Sequence, residues 1–435
     1  MLEVVPMAKR RYRARDVKDV NVAQVSEQVG DHVTVAIDVA KSKFFATIQD
    51  LRANVVETVK WIHPVETEDF LSLVEELAQN ASRVEAVMEP SGTYGDGLRR
   101  ALQLRGLEVF RVNPKRTHDA KEVYDGVPSL HDAKSAAIIG KLHLDGCSEP
   151  WPEKSVEERR IAAALRVLAI DSKEFSRNRN RLENLLARHW PELPRILDLG
   201  SATLLELLIG FGSPERVADK PERATELMKR VGGSYLAIEK IKAVVASALR
   251  THGVPMLEEE RELVQEVAKR ARQAQKQLKA SKKRIEKLTK DCDATKHMAP
   301  TLGATTAAIV AAGLGNPANY KSATAYLKSS GLNVREKSSG ESAGGLHITK
   351  RGPGVVRYYL FLAALRLIQR DPIVAAWYAK KVKRDGGKAK LKAVVAIMRK
   401  LVLALWHVGQ GEPFDASKLF DATRLKVRVV QLEAA

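Results

Sequence analysis

Asp38 closes the apolar run AIDVAKSKF at a point where a charged side chain has no packing role, and Glu89 does the same in AVMEPSGTY. Two carboxylates on the ends of adjacent strands, joined by a third from a following helix, can converge on Mg2+, a hard cation that prefers oxygen ligands. A pair of such ions about 4 Å apart activates a nucleophile and stabilises the leaving oxygen in phosphodiester chemistry. Taken singly, each acid reads equally well as the cap of a strand or a helix.

For these acids to meet, an α/β scaffold must carry them. HVTVAIDVAKSKFFATIQD is rich in β-branched residues and broken by the polar turn Lys41-Ser42-Lys43, which predicts a hairpin. A helix over 66–80, a strand over 84–88, a helix over 95–105 and a strand over 107–112 follow. Strand pairs alternating with helices predict an α/β domain over residues 31–150. Ahead of it, residues 1–30 hold the basic run Lys9-Arg10-Arg11-Tyr12-Arg13-Ala14-Arg15 without apolar periodicity, and read as a tail that touches phosphate or is simply solvated.

Residues 151–297 read as a helical middle. Ile161, Leu165, Leu168, Ser172, Phe175, Arg179, Leu182 and Leu186 step by three and four. Leu257, Val264, Val267, Ala271, Ala274, Leu278, Ser281, Ile285 and Leu288 fall on heptad positions in a strongly charged stretch. Both series read as coiled-coil seams, the alternative being two amphipathic helices packed within one globule. Residues 195–254 between them form a smaller helical unit, broken at Gly212-Ser213-Pro214 and Gly232-Gly233. A mainly helical domain over 298–412 begins with a helix, a glycine hairpin and another helix. A Ser-, Gly- and Lys-rich loop and two helices over 355–370 and 388–408 follow, with the basic segment 380–384 between those helices. Residues 413–435 read as a tail.

Across 435 residues, 72 Lys and Arg against 53 Asp and Glu give a formal charge of +19, a field that attracts polyanions and makes nucleic acid the expected partner. The only cysteines, Cys147 and Cys292, lie far apart with no second ligand at metal spacing, which excludes a disulfide framework or a zinc knuckle and suits a reducing cytoplasm. No stretch approaches the roughly 18 apolar residues of a transmembrane helix, and charged residues stand where a signal peptide carries its apolar core, so a soluble chain with no membrane partner is expected.

The runs AIDVAKSKF, MEPSGTYGDGLRRAL, VFRVNPKRTHDAKE and PSLHDAKSAAIIGKLHLDG are similar, in order and spacing, to the RuvC-like, RNase H-like domain of the Piv-like insertion-sequence transposases, the IS110 and IS1111 group. That family carries an Asp, Glu, Asp, Asp tetrad. Asp38 matches the first Asp and Glu89 the Glu. Aligned on the following apolar helix, Asp132 takes the third place and Ser135 stands where the last Asp belongs; another register puts Asp132 last and Ser129 third. Either way one carboxylate is missing, which predicts weaker Mg2+ binding unless Ser135 holds a metal-bound water or Asp125 reaches in.

From Met298 to Trp406 the chain is similar to that family's second domain, and LRVLAIDSKEFSRNRNRLENLLARHWPEL resembles its helical connector. The resemblance implies a catalytic serine at Ser339, the Ser of a Ser-Gly pair in GLNVREKSSGE, with Ser338 as the neighbour to distinguish from it. A serine in a flexible glycine-containing loop can attack a phosphodiester and hold it as a phosphoserine, with Lys337, Lys350 and Arg351 placed to stabilise charge on phosphorus. Read without the resemblance, Ser339 is one of several serines in a polar loop.

The resemblance further implies donor and target DNA, guidance by a structured RNA, and homodimers that pair into tetramers, with the acids and the serine supplied by different subunits. The expected activity is that of a transposase. Its rivals are a metal-only nuclease acting on branched DNA and a catalytically silent nucleic-acid-binding relative.

Overall fold

The computed structural model describes residues 13–128, 131–336, 345–421 and 425. Ser129, Lys337, Ser338 and Ser339 lie outside the described residues. The chain divides into two units at Lys154 and Ser155.

The first unit is built on a seven-stranded mixed sheet in the order β1-β4-β3-β2-β5-β6-β7. These strands are Arg15–Asp16 (β1), His32–Asp38 (β2), Lys43–Gln49 (β3), Val55–Ile62 (β4), Arg83–Met88 (β5), Glu108–Val112 (β6) and Ser148–Pro150 (β7). β2, β3 and β4 form an antiparallel meander, while β2, β5 and β6 run parallel. Its helices are Val22–Val29 (α1), Thr67–Asn80 (α2), Asp96–Leu104 (α3), Pro114–Asp119 (α4) and Asp132–Leu144 (α5). This mixed sheet with helices fits an RuvC-like α/β domain.

Alternation along β2 explains its almost unbroken apolar run. Val33, Val35 and Ile37 enter a core with Phe44, Trp61, Phe70 and Leu77, while Ala36 enters a second core with Val87, Val112, Ile138 and Ile139 of α5. A strand covered on both faces has no polar side.

The small residues of α5, Ala133, Ala136, Ala137 and Gly140, let it lie close on the sheet. Gln49, fully buried, donates to Thr47 Oγ1 at 2.8 Å and to the Ala137 carbonyl at 3.1 Å. A Cβ on Gly140 would stand 2.5 Å from that carboxamide. At the far end of α5, His143 bonds Ser148 of β7 at 2.7 Å and Glu85 of β5 at 3.2 Å.

The N-terminal segment is not a tail from Arg15 onward. Arg15 and Asp16 pair with Val59 and Lys60, and Val17, Val25 and Val29 are buried, because these three valines supply an apolar face that the basic run upstream conceals. β4 was likewise not expected. It is the third meander strand, and its alternation is blurred by Glu57 and Lys60, which form ion pairs with Arg15 and Asp16.

The second unit is helical: Val156–His189 (α6), Leu193–Ile196 (α7), Ala202–Phe211 (α8), Pro214–Asp219 (α9), Pro221–Gly232 (α10), Ile238–Leu249 (α11), Glu258–Leu288 (α12), Asp293–Leu302 (α13), Ala304–Leu314 (α14), Ala323–Ser329 (α15), Gly354–Arg370 (α16), Pro372–Arg384 (α17) and Lys390–Val408 (α18). A capping box formed by Ser155 and Glu158 starts α6. Contacts of Asp171 with Ser281 and of His189 with Glu260 set α6 and α12 antiparallel. Val264, Val267, Ala271, Ala274, Leu278, Ser281 and Ile285 are buried inside the chain. From Val264 to Ile285 the expected coiled-coil seam is therefore an intrachain one, covered by α6, α8 and α14, while Leu257 at its start is exposed.

One core joins the lower halves of α6 and α12 to α7, α8, α10 and α11, and another joins their opposite halves to α13–α18. The basic segment expected between two C-terminal helices is itself the last turn of α17, which starts on the Asp371 cap with Pro372 at its first position. Residues after 412 are also not wholly a tail: Phe420 is buried and packs on Trp377. No helix among the described residues is long and apolar enough to cross a membrane.

Because Gln49 is locked by two hydrogen bonds, Gly140→Ala should destabilise the first unit by roughly 1–3 kcal/mol. A lowered melting temperature by circular dichroism, partly recovered in the Gly140→Ala/Gln49→Ala double variant, is the expected outcome; an unchanged melt would mean α5 does not need that close approach.

Candidate functional site

Ile37 of β2 and Met88 of β5 are register partners, so Asp38 and Glu89 follow one step later on neighbouring parallel strands. Asp132 is the first residue of α5, the helix packed against β2 and β3. Its N-cap is His131, whose ring nitrogen accepts from the Lys134 amide at 3.3 Å.

Asp38 feels the other two acids. Burial first, then the charges of Asp132 and Glu89, push the Asp38 carboxyl up to about 7. Glu89 is half-buried and accepts a hydrogen bond from Ser91 Oγ at 3.2 Å, while Asp132 is exposed.

A partly buried carboxylate with two acidic neighbours and no cation among the causes of its shift is the environment a divalent metal would relieve, so the donor set fits one. Among the described residues, no three His, Cys, Asp or Glu side chains already enclose a metal position. The acids are within electrostatic reach rather than convergent, and Asp132 is the exposed member of the three.

Ser135, in the position where a fourth acid was expected, is buried one turn along α5 from Asp132. Asp125, the other candidate for the missing charge, is engaged elsewhere in this structure. It pairs at 2.8 Å with Lys134, whose ammonium also donates to the Val127 carbonyl at 2.7 Å. Lys134 is only 2% exposed, and this bond ties the segment before α5 to the helix that presents Asp132. Sequence reasoning missed Lys134; its one signal was a lysine inside the small and apolar run AKSAAIIG.

In the second unit, the chain runs into the segment containing Ser339 through Val334–Arg335 (β8) and out through His347–Ile348 (β9), which pair antiparallel. The base below this ladder is tightly built. Lys350 donates its amide to the Gly331 carbonyl at 2.9 Å, and Arg357 donates to the carbonyls of Ser330 and Gly352 at 3.1 and 2.8 Å. Arg399 adds a bond to the Leu332 carbonyl at 3.0 Å.

Gly352 has φ 155° and approaches so closely that a Cβ there would lie 2.3 Å from the Ser329 carbonyl. Lys350 holds φ 56°, a left-handed conformation that favours glycine, and both it and Arg351 are exposed.

Two family models match this chain. A transposase model of the IS110 DEDD type matches residues 35–191, which include Asp38, Glu89 and Asp132, and one for transposases of the IS116/IS110/IS902 family matches residues 297–379, which include Ser339. The chain belongs to the IS110 family of transposases. Among curated relatives, an uncharacterized 44.8 kDa protein of insertion element IS116 from Streptomyces clavuligerus is 25% identical over 390 residues, 86% of this chain and 94% of that one. A 43.6 kDa protein of insertion element IS110 from Streptomyces coelicolor is 25% identical over 297 residues, 66% of this transposase and 72% of that protein. Membership implies an enzyme that cuts and rejoins DNA, and a DEDD domain implies a divalent metal.

The raised Asp38 carboxyl sets a pH dependence. Its folded value lies above its unfolded one of 3.8, so the unfolded chain loses this proton first, and the metal-free protein loses stability as pH rises from about 4 to about 7. Asp38→Asn should remove that penalty and raise the melting temperature at pH 8 by roughly 5 °C. In the unmodified chain a divalent ion must displace the proton below pH 7, so calorimetry with Mn2+ should show affinity falling by up to about tenfold per pH unit there and levelling above it. A flat profile from pH 5 to 8 would show that Asp38 is not a ligand.

Proposed function

We propose that this transposase breaks and rejoins DNA through a phosphoserine at Ser339, assisted by Mg2+ at Asp38, Glu89 and Asp132. The observation that carries the reading is the charge effect of Asp132 and Glu89 on the partly buried Asp38 within the region that matches a DEDD transposase.

Mg2+, when bound, supplies positive charge to an attacking or leaving oxygen and a lowered pKa to a bound water. The carboxylates of Asp38 and Glu89, at two neighbouring strand ends, and that of Asp132, at the start of α5, would hold it. Ser135 at the fourth position would offer only a neutral oxygen.

In the strand-transfer step, Ser339 Oγ attacks phosphorus and its proton leaves to solvent or a nearby base. The P–Oγ bond forms as the P–O bond to one DNA fragment breaks, and that fragment departs as an alcohol after taking a proton. The hydroxyl end of another strand then attacks the phosphoserine, forming the new phosphodiester and releasing the serine, so the bond energy is conserved throughout. Lys337, Lys350 and Arg351 offset the charge that builds on the phosphoryl oxygens. The stapled neck below β8 and β9 supports this role, because it gives the serine segment a fixed base from which to act.

Donor and target DNA are the substrates in this reading, a structured RNA specifies them by base pairing, and homodimers pair into tetramers. Since the α12 seam is internal, association must use other surfaces, such as the outward side chains Val167 and Ile170 of α6. Residues 31–150 would carry the metal, 151–297 would connect, and 298–412 would carry the serine.

Purified protein, the non-coding RNA flanking its gene, Mg2+ and paired DNA substrates should yield a covalent protein–DNA adduct on a denaturing gel. Ser339→Ala should abolish the adduct while DNA binding persists, Asp38→Asn should abolish cutting, and Ser135→Asp should tighten Mg2+ binding. Cutting by Ser339→Ala without an adduct would replace this reading by the metal-only nuclease, and binding without any cutting by the silent relative.

A further inference from the structure

The lobe between the two matched regions holds a cavity of about 730 Å3 lined by Gly210, Phe211, Arg216, Lys220, Arg223, Glu226, Leu227, Arg230 and Arg261. Five of these nine side chains are cationic and one is acidic, so the walls suit neither an apolar ligand nor a metal.

The walls are set before any ligand arrives. Gln265 of α12 donates to the Ile209 carbonyl at 3.0 Å and holds the end of α8. Gly212, with φ 76°, turns so tightly against α12 that a Cβ would meet Arg261 Cγ at 2.7 Å. Arg261 is itself tied to Glu258 and Gln265. Lys220, Arg223 and Arg230 make no ion pair among the described residues, and Arg216 acts on Glu258 without pairing with it. Unpaired cations gathered in a concave wall focus a positive field into the cleft.

We propose that this cleft is a nucleic-acid groove that grips the phosphates of one strand. The spacing favours a polynucleotide over a single anion. Arg223, Glu226, Leu227 and Arg230 share one face of α10, and the seven steps from Arg223 to Arg230 span about 10 Å at the helical rise of about 1.5 Å. At about 3.4 Å of axial rise per phosphate on one strand, that length covers about three phosphates. The groove lies outside residues 35–191 and 297–379, so neither matched region accounts for it, and it stands independently of Ser339 and the three acids.

Fluorescence anisotropy of the full chain on a duplex DNA, a single-stranded DNA and an RNA, each of about thirty nucleotides, tests the groove. Arg223→Glu/Arg230→Glu should weaken at least one of the three by about tenfold or more and lower its salt-dependence slope by about two, the value for two lost phosphate contacts. The strand so affected is the occupant. Lys240→Glu/Lys242→Glu makes the same charge change on α11, outside the cavity lining, and should leave affinity within about threefold. Arg223→Ala/Arg230→Ala, checked by thermal melting, serves if charge reversal perturbs the fold. Equal losses in the two Glu pairs, no loss in any strand, or full displacement of the strand by inorganic pyrophosphate at matching phosphate concentration would overturn the proposal.

Discussion

Three carboxylates lie together where two central strands end, the charges of Glu89 and Asp132 repel that of Asp38, and the first unit is arranged to hold them there despite it. The repulsion is visible in Asp38, which retains its proton to about pH 7 because burial and the charges of Asp132 and Glu89 disfavour the anion. Parallel pairing of β2 with β5 fixes two of the acids in register, and close packing of α5 fixes the third. That packing depends on Gly140 over Gln49 at one point and on the Lys134–Asp125 bond at another. Each support is buried and polar, and each is satisfied by a specific partner, so the helix cannot slide without leaving an unpaired group in the core. Gln49 Oε1 is the exception, a buried acceptor with no partner in the structure.

In the second unit, α6 and α12 form one long antiparallel pair that serves two cores at once. The pairing places charged and polar contacts at intervals along it, from Asp171 with Ser281 to His189 with Glu260. Arg272 of α12 reaches Glu206 of α8 at 2.7 Å and ties the lobe to the pair. The base of β8 and β9 is held differently, by backbone carbonyls of Ser330, Gly352 and Leu332 bonded to two arginines, Arg357 and Arg399. These carbonyl acceptors and the Gly352 contact add to an apolar base, since Leu327, Leu332 and Val356 are buried in the core below and Ile348 packs on it.

The excess positive charge is not spread evenly in its consequences. Many lysines and arginines pair with acids along the helices, as Arg270 does with Glu266 and Arg177 with Glu174, and such exposed pairs contribute little to stability. In the readings proposed above, the cations that would meet a polyanion are Lys220, Arg223 and Arg230 in the middle lobe, which make no ion pair among the described residues, and Lys350 and Arg351 beside the neck. Net charge alone announces a nucleic-acid partner but does not say where that partner lies.

The sequence by itself determined what is local or periodic. The β2–β3 hairpin, α2, β5, α3 and β6 are legible because β-branched runs, turn residues and apolar spacing report burial directly, and the heptads of α12 report a buried stripe for the same reason. Asp38 and Glu89 stood out because a charge at the end of an apolar strand has no packing role, whereas Asp132 and Ser339 were reached only through resemblance to a family. Tertiary structure decided what depends on partners distant in the chain. It covered the α12 stripe with α6 of the same molecule and turned the segment after Arg15 into a sheet edge. It also bound Asp125 to Lys134 and folded Arg216, Arg223 and Arg261 around one cleft. Periodicity records that a face is covered, but neither the identity of the cover nor the electrostatic sum at a site exists until the chain has closed on itself.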